Sequence, residues 1–144
     1  MGEDENSKST AVGESSDAQS FQLSLKVHVQ QFMRSQRETL TGELTRAVLD
    51  QDESSVQLTL QSMYAVGLSV DFPNYDGRTA LHLAAAQGST SMVQLLLAEK
   101  ADPNAQDLRG NTPINDTMSN RQLDTFKCLY EKGGRLNLLD AAAT

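Results

Sequence analysis

Asn74-Tyr75-Asp76-Gly77-Arg78-Thr79-Ala80-Leu81-His82-Leu83-Ala84-Ala85 returns thirty-three residues later as Asp107-Leu108-Arg109-Gly110-Asn111-Thr112-Pro113-Ile114-Asn115-Asp116-Thr117-Met118. In each copy a turn runs into a Thr placed as a helix N-cap, Thr79 or Thr112, whose hydroxyl can accept a backbone N–H left free in the first turn. Self-similarity at this period marks stacked supersecondary units that bury their apolar faces only against one another.

Period and wording together resemble the ankyrin repeat, a β-turn followed by two antiparallel helices, whose signature centres on T-P-L-H-x-A. The resemblance covers residues 44–139. It implies an all-α fold, a short ankyrin-repeat solenoid of about three helix–turn–helix layers with β-turn tips. A degenerate repeat is expected over 41–73, a regular one over 74–106 and a divergent terminal one over 107–139, with a C-terminal tail at 140–144.

In the repeat at 74–106, Leu81, Ala84 and Ala85 form a small-residue face that lets layers approach closely. Gly88 ends the inner helix, Ser89 or Thr90 starts the outer one, and Met92, Val93, Leu95, Leu96 and Leu97 give it an apolar face. By resemblance to the family, the His82 ring joins the Thr79 hydroxyl and loop backbone in a network that holds the turn. The repeat at 107–139 keeps Thr112-Pro113, with Pro at the first helical position where its missing N–H costs nothing. Beyond that, Asn115 replaces the His, Thr117 and Met118 replace the Ala pair, and Arg121 takes the slot of Gly88. Its outer helix carries Leu123, Phe126, Cys128 and Leu129 and stops at Gly133-Gly134. Cys128, the one cysteine, reads as a small core hydrophobe.

Thr41 is the expected start of the first repeat, with Leu44, Ala47 and Val48 at helical spacing. A second helix follows from about Ser54 to Ala65, through Val56, Leu60, Met63 and Tyr64. Val56 lies eleven residues before Gly67, whereas Val93 lies seven before Lys100, so this repeat should hold about one extra helical turn.

Phe21, Leu23, Leu25, Val27 and Val29 alternate as a half-buried strand would, yet Leu25, Val29, Phe32 and Met33 also share a helical face. A flanking helix within 21–40, from about Leu25 to Arg37, is the reading taken, because an ankyrin stack offers an isolated strand no sheet to join. Residues 1–20 are Ser- and acid-rich and are expected to be a disordered tail. That tail reads as a solubilising leader in preference to a phosphorylated segment around Ser15 and Ser16.

Composition narrows function. Aromatics make up 5% of the 144 residues and Trp is absent, which suits thin helical layers better than a large globular centre. Glu3, Asp4, Glu5, Glu14 and Asp17 against Lys8 place −4 of the net −7 in the first twenty residues. With no basic stripe anywhere, nucleic acid is not an expected partner. No stretch suits a membrane span, and one cysteine fits a cytoplasmic or nuclear location. With two isolated His residues and scattered carboxylates, the chain is read as no enzyme, with no catalytic residue, no cofactor and no metal site.

The expected function is protein–protein interaction. The family docks partners on turn tips and the exposed side of the inner helices, which here means Tyr75, Asp76, Arg78 and Gln87, then Leu108, Arg109, Asn111 and Asn120. An aromatic, two Arg and amides can supply interface anchors, although Asp76 and Asn111 could equally serve only to shape their turns. Tyr75–His82 and Gly110–Pro113 are also similar to ankyrin segments of glutaminases, some asparaginases and plant-type potassium channels. Nothing here matches their catalytic or pore segments. The alternative expectation is therefore a regulatory or oligomerising fragment of a larger enzyme or channel subunit, associating through the C-terminal edge, where no helix pair follows Leu139.

Overall fold

A computed structural model describes residues 2–137, and the described residues form six helices without strands. They are α1 (Gly2–Leu49), α2 (Glu53–Ala65), α3 (Ala80–Gln87), α4 (Thr90–Ala98), α5 (Pro113–Ser119) and α6 (Leu123–Glu131). From Arg37 onward the chain is one compact unit, and the residues before it form another. The tail expected at 140–144, with Leu138 and Leu139, lies outside the described residues.

In the unit from Arg37, inner helix α3 packs on α4 and on the next inner helix α5, while α6 packs on α5 and α4. One buried cluster runs through all layers, from Leu44 and Val48 through Val56, Leu60 and Met63 to Leu81, Met92, Val93 and Leu96, and on to Ile114 and Leu129. Ala84 and Ala85 are fully buried, so the α3–α5 contact is close because little side chain stands between the backbones. Burying a large aliphatic side chain contributes roughly 1.5–3 kcal/mol, so this cluster sustains the stack.

Each loop also holds the next. Asp71 accepts the Asp102 N–H at 2.8 Å, and thirty-three residues later Asn104 accepts the Arg135 N–H at 2.8 Å. The extra turn in the first repeat is present, since α2 has 13 residues where α4 and α6 have 9 each.

The chain before the repeats differs from expectation. Thr41 starts no helix: α1 is continuous through it, and the Thr41 hydroxyl donates back to the Arg37 carbonyl at 2.6 Å instead of capping. Residues 2–20, expected as a disordered tail, and the separate flanking helix expected over 21–40 are likewise drawn into α1. No proline precedes Pro73, so nothing in the backbone interrupts the i to i−4 ladder once it is nucleated. No helix of the described residues is long and apolar enough to cross a membrane.

Candidate protein-binding surface

Two equivalent turns, at 74–78 and 107–111, build the surface. Asn74 Oδ1 accepts the N–H groups of Asp76 and Arg78 at 2.9 and 3.1 Å, and the Asn74 N–H returns to the Arg78 carbonyl at 2.9 Å. Asp107 Oδ1 accepts from Arg109 and Asn111, each at 2.9 Å, with the Asp107 N–H on the Asn111 carbonyl at 3.0 Å. A short side-chain acceptor at the first position thus gathers the donors of its own turn.

The tips are joined. The Leu108 N–H donates to the Asp76 carbonyl at 3.1 Å, and this approach needs Gly77. Gly77 has φ +73°, and a Cβ there would lie 2.9 Å from the Leu108 nitrogen.

Behind the tips, each inner helix starts with a capping box. His82 Nδ1 accepts the Thr79 N–H at 3.0 Å and lies 2.9 Å from the Thr79 hydroxyl, while Nε2 meets the Asn111 carbonyl of the next turn at 2.8 Å. In the last repeat Asn115 substitutes. Its Oδ1 accepts the Thr112 N–H and hydroxyl at 3.1 and 2.7 Å, as well as the Asn137 N–H at 3.0 Å. Both residues bind their own cap on one side and the following loop on the other.

Arg78 is committed within the stack. Its guanidinium reaches Asp107 and Asp116, each at 3.0 Å. Burial pushes the Asp116 carboxyl up, and the attraction of Arg78 only partly offsets this. Asp107 is also buried, but the backbone N–H groups of Asn111 and Arg109, joined by the charge of Arg78, outweigh burial and hold its carboxyl below the ordinary value.

The eight expected partner residues therefore divide. Tyr75 and Leu108 stand out at 89% and 78% exposure, and Asp76, Arg109 and Asn120 are exposed beside them or at the end of α5. Gln87 donates from Nε2 to the Leu49 carbonyl at 2.8 Å, capping the end of α1. Asn111 is half-buried, and its backbone closes the second turn. Met118 on α5 is exposed as well, at a slot the family pattern did not single out because it is an Ala there.

Away from this surface, Cys128 is half-buried and its thiol is pushed up, first by burial and then by Glu131. The exposed end of the last repeat holds Phe126 stacked on Tyr130 at 6.1 Å between centroids, with the Arg135 guanidinium 4.7 Å from the Tyr130 ring centre.

A family model described as ankyrin repeats (3 copies) matches residues 44–140. Among curated proteins, the chain is similar to serine/threonine-protein kinase 12 of Arabidopsis thaliana, at 38% identity over 69 residues, which is 48% of this chain and 15% of the kinase. It is similar to the mitochondrial liver isoform of glutaminase of Mus musculus, at 37% over 65 residues, or 44% of this chain and 11% of that protein. Potassium channel KOR2 of Oryza sativa subsp. japonica matches at 40% over 57 residues, or 40% of this chain and 8% of the channel. The chain spans less than a fifth of the length of each of these relatives.

Proposed function

This chain belongs to the ankyrin-repeat family, and on that premise we propose that it is a non-catalytic module that binds a protein partner through its turn tips. The observation that carries the reading is the exposure of Tyr75 and Leu108 on adjacent tips that a backbone hydrogen bond holds together. An aromatic and an aliphatic anchor on pre-ordered turns bind without the entropy of ordering a loop. Asp76, Arg109 and Asn120 would supply the polar rim, while Arg78, Gln87 and Asn111 act by holding the surface in place. The single cysteine supports a cytoplasmic or nuclear location.

The test is capture of partners from a lysate with the intact chain, followed by affinity measurement with Tyr75→Ala/Leu108→Ala. Affinity should fall at least tenfold with the thermal midpoint unchanged, since neither side chain is packed. Unchanged affinity would remove the tips from the interface.

A second reading, a regulatory or oligomerising part of a larger enzyme or channel, is supported by the small share of each relative that the match covers. The exposed Tyr130 ring, stacked on half-buried Phe126, supplies an edge for it. The mass of the natural polypeptide, measured from its source, tests this: a mass equal to the 15.7 kDa of this chain would exclude a larger host in the same polypeptide.

A further inference from the structure

The C-terminal end of the stack holds a groove of about 260 Å³ lined by buried Ile114, half-buried Phe126 and the exposed Tyr130, Arg135 and Leu136. Sites for whole cofactors or substrates run from about 300 to about 1,000 Å³, so this one has room for a single large side chain of another molecule.

A guanidinium is fixed at its rim. Arg135 Nη1 donates to the carbonyls of Gly134 and Tyr130 at 2.7 and 3.4 Å, and the head lies 4.7 Å from the Tyr130 ring centre. Its Nε and Nη2 have no partner among the described residues. Arg78 shows what a guanidinium in this stack does when carboxylates are within reach, since it takes Asp107 and Asp116. Arg135 has no such carboxylate among the described residues. Charge around it has the same sign. Arg121, Lys127, Lys132 and Arg135 against Asp124 and Glu131 give residues 121–137 a net +2, whereas residues 37–120 carry five Lys and Arg against eleven acids, a net −6.

We propose that this groove docks an acidic segment of a partner protein, one that presents an apolar side chain next to a carboxylate. The apolar side chain enters between Phe126, Tyr130 and Leu136, and the carboxylate takes the open Nε and Nη2 donors of Arg135, a planar fork suited to bidentate pairing. A head already held by two carbonyls and a ring loses less freedom on binding than a free one. A second copy of the chain is the poorer occupant, because a two-fold contact here sets a net +2 against itself. The inference rests on the second reading above for the use of this edge. The mass of the natural polypeptide can exclude a host and still leave peptide binding intact, so the two fail separately.

The test is fluorescence anisotropy with the full chain and a labelled peptide of Asp and Ser residues around one central Phe. Binding should saturate and weaken as salt is raised. It should fall about tenfold or more with Arg135→Ala, the scale of a lost hydrogen bond between charged groups. A peptide with Ser in place of Phe should lose about tenfold as well. Tyr75→Ala/Leu108→Ala should change nothing. Arg135→Glu guards against a loss that comes from unfolding alone: it should refuse this peptide and take one with Lys in place of Asp, which the unaltered chain refuses. No saturable binding, equal binding of the Ser or Lys peptide, or an affinity that Arg135→Ala leaves unchanged overturns the proposal. Three other occupants overturn it too: a mass of twice the 15.7 kDa of the chain that Arg135→Ala returns to the single value; phosphatidylserine vesicles bound through Arg135 in place of the peptide; and peptide binding that appears only with Leu139→Ser/Asp140→Ser, which makes the chain's own segment the occupant.

Discussion

The repeats at 74–106 and 107–137 share a turn almost atom for atom, and they differ in what stands behind it. Asn74 and Asp107 collect the same two N–H groups, and Gly77 and Gly110 both take positive φ. Past the turn, the first repeat has fully buried Ala84 and Ala85, where the second has Thr117, buried with its hydroxyl on the Ile114 carbonyl at 2.7 Å, and Met118, exposed. Where the first repeat uses a buried His, the second uses a half-buried Asn. A tip can thus be copied as a local motif, whereas the layer beneath it depends on which side chains stack there.

The widest gap between the two should appear at their capping residues. His82→Ala leaves the Thr79 N–H and the Asn111 carbonyl without their partner inside a packed layer and opens a void, so about 2–4 kcal/mol should be lost. Asn115→Ala removes similar bonds from a half-buried position, where water can take them up, and about 1 kcal/mol is expected. Urea unfolding midpoints at constant slope measure both. Equal losses would show that the last layer is as closed as the one before it.

Next comes the residue that ends α3. Gly88 has φ +72°, and a Cβ there would lie 2.3 Å from the Gln122 side chain of the following repeat. Gly88→Ala combines left-handed strain with a forced shift of Gln122, and about 1–2 kcal/mol of destabilisation should follow. Gln122→Ala in the same background separates the terms, since it relieves the clash but not the strain. If the double variant is no more stable than Gly88→Ala, the strain alone accounts for the loss.

Acid titration should divide the two aspartates that meet Arg78. Asp107, held low in the fold, contributes stability that is complete above the unfolded value of about 3.9 and is lost as pH falls through its lower folded value. Asp116, held high, has the opposite sign: its ionised form is disfavoured in the fold, and this penalty is relieved as pH falls through its raised value toward about 3.9. Asp107→Asn should therefore weaken the chain at neutral pH and flatten its lowest-pH losses. Asp116→Asn should remove the gain on first acidification, with effects below about 1 kcal/mol for a pair that retains solvent contact. Denaturant midpoints across pH 3–6 distinguish them, and the same profile for both would deny the two carboxyls their separate roles.

Local chemistry decided what was legible. The tips, the caps at Thr79 and Thr112, the stops at Gly88 and Gly133 and the extra turn of α2 all depend on residues within a few positions of one another. The pairing of Arg78 with Asp107 and Asp116 spans 29 and 38 residues, so a cation on a turn tip looked available to a partner when it was committed to the next layer. The junction at Thr41 misled for a related reason: a Thr inside a helix can return its hydroxyl to the i−4 carbonyl as readily as it can cap a new one. What separated the two outcomes was the continuity of backbone on its N-terminal side, which no residue near Thr41 announces.

The smallest effect should arise where the last repeat keeps the geometry of Gly88 without the glycine. Arg121 holds φ +56°, and the closing bonds match: the Gln122 N–H reaches the Thr117 carbonyl at 2.9 Å, as the Ser89 N–H reaches Ala84 at 3.1 Å. Both residues are left-handed just where an inner helix ends, a place where Gly avoids the Cβ penalty. Arg121 is exposed, so replacing it removes no packed side chain. Arg121→Gly relieves the strain of a branched backbone site but also loosens the unfolded chain, and these terms oppose each other. The balance should be a gain of under about 1 kcal/mol, the reverse in sign of Gly88→Ala at the equivalent position. A loss on Arg121→Gly would mean that the arginine makes a contribution at the end of the stack beyond its backbone, and the two repeats would then differ in their caps as well as in the layers behind them.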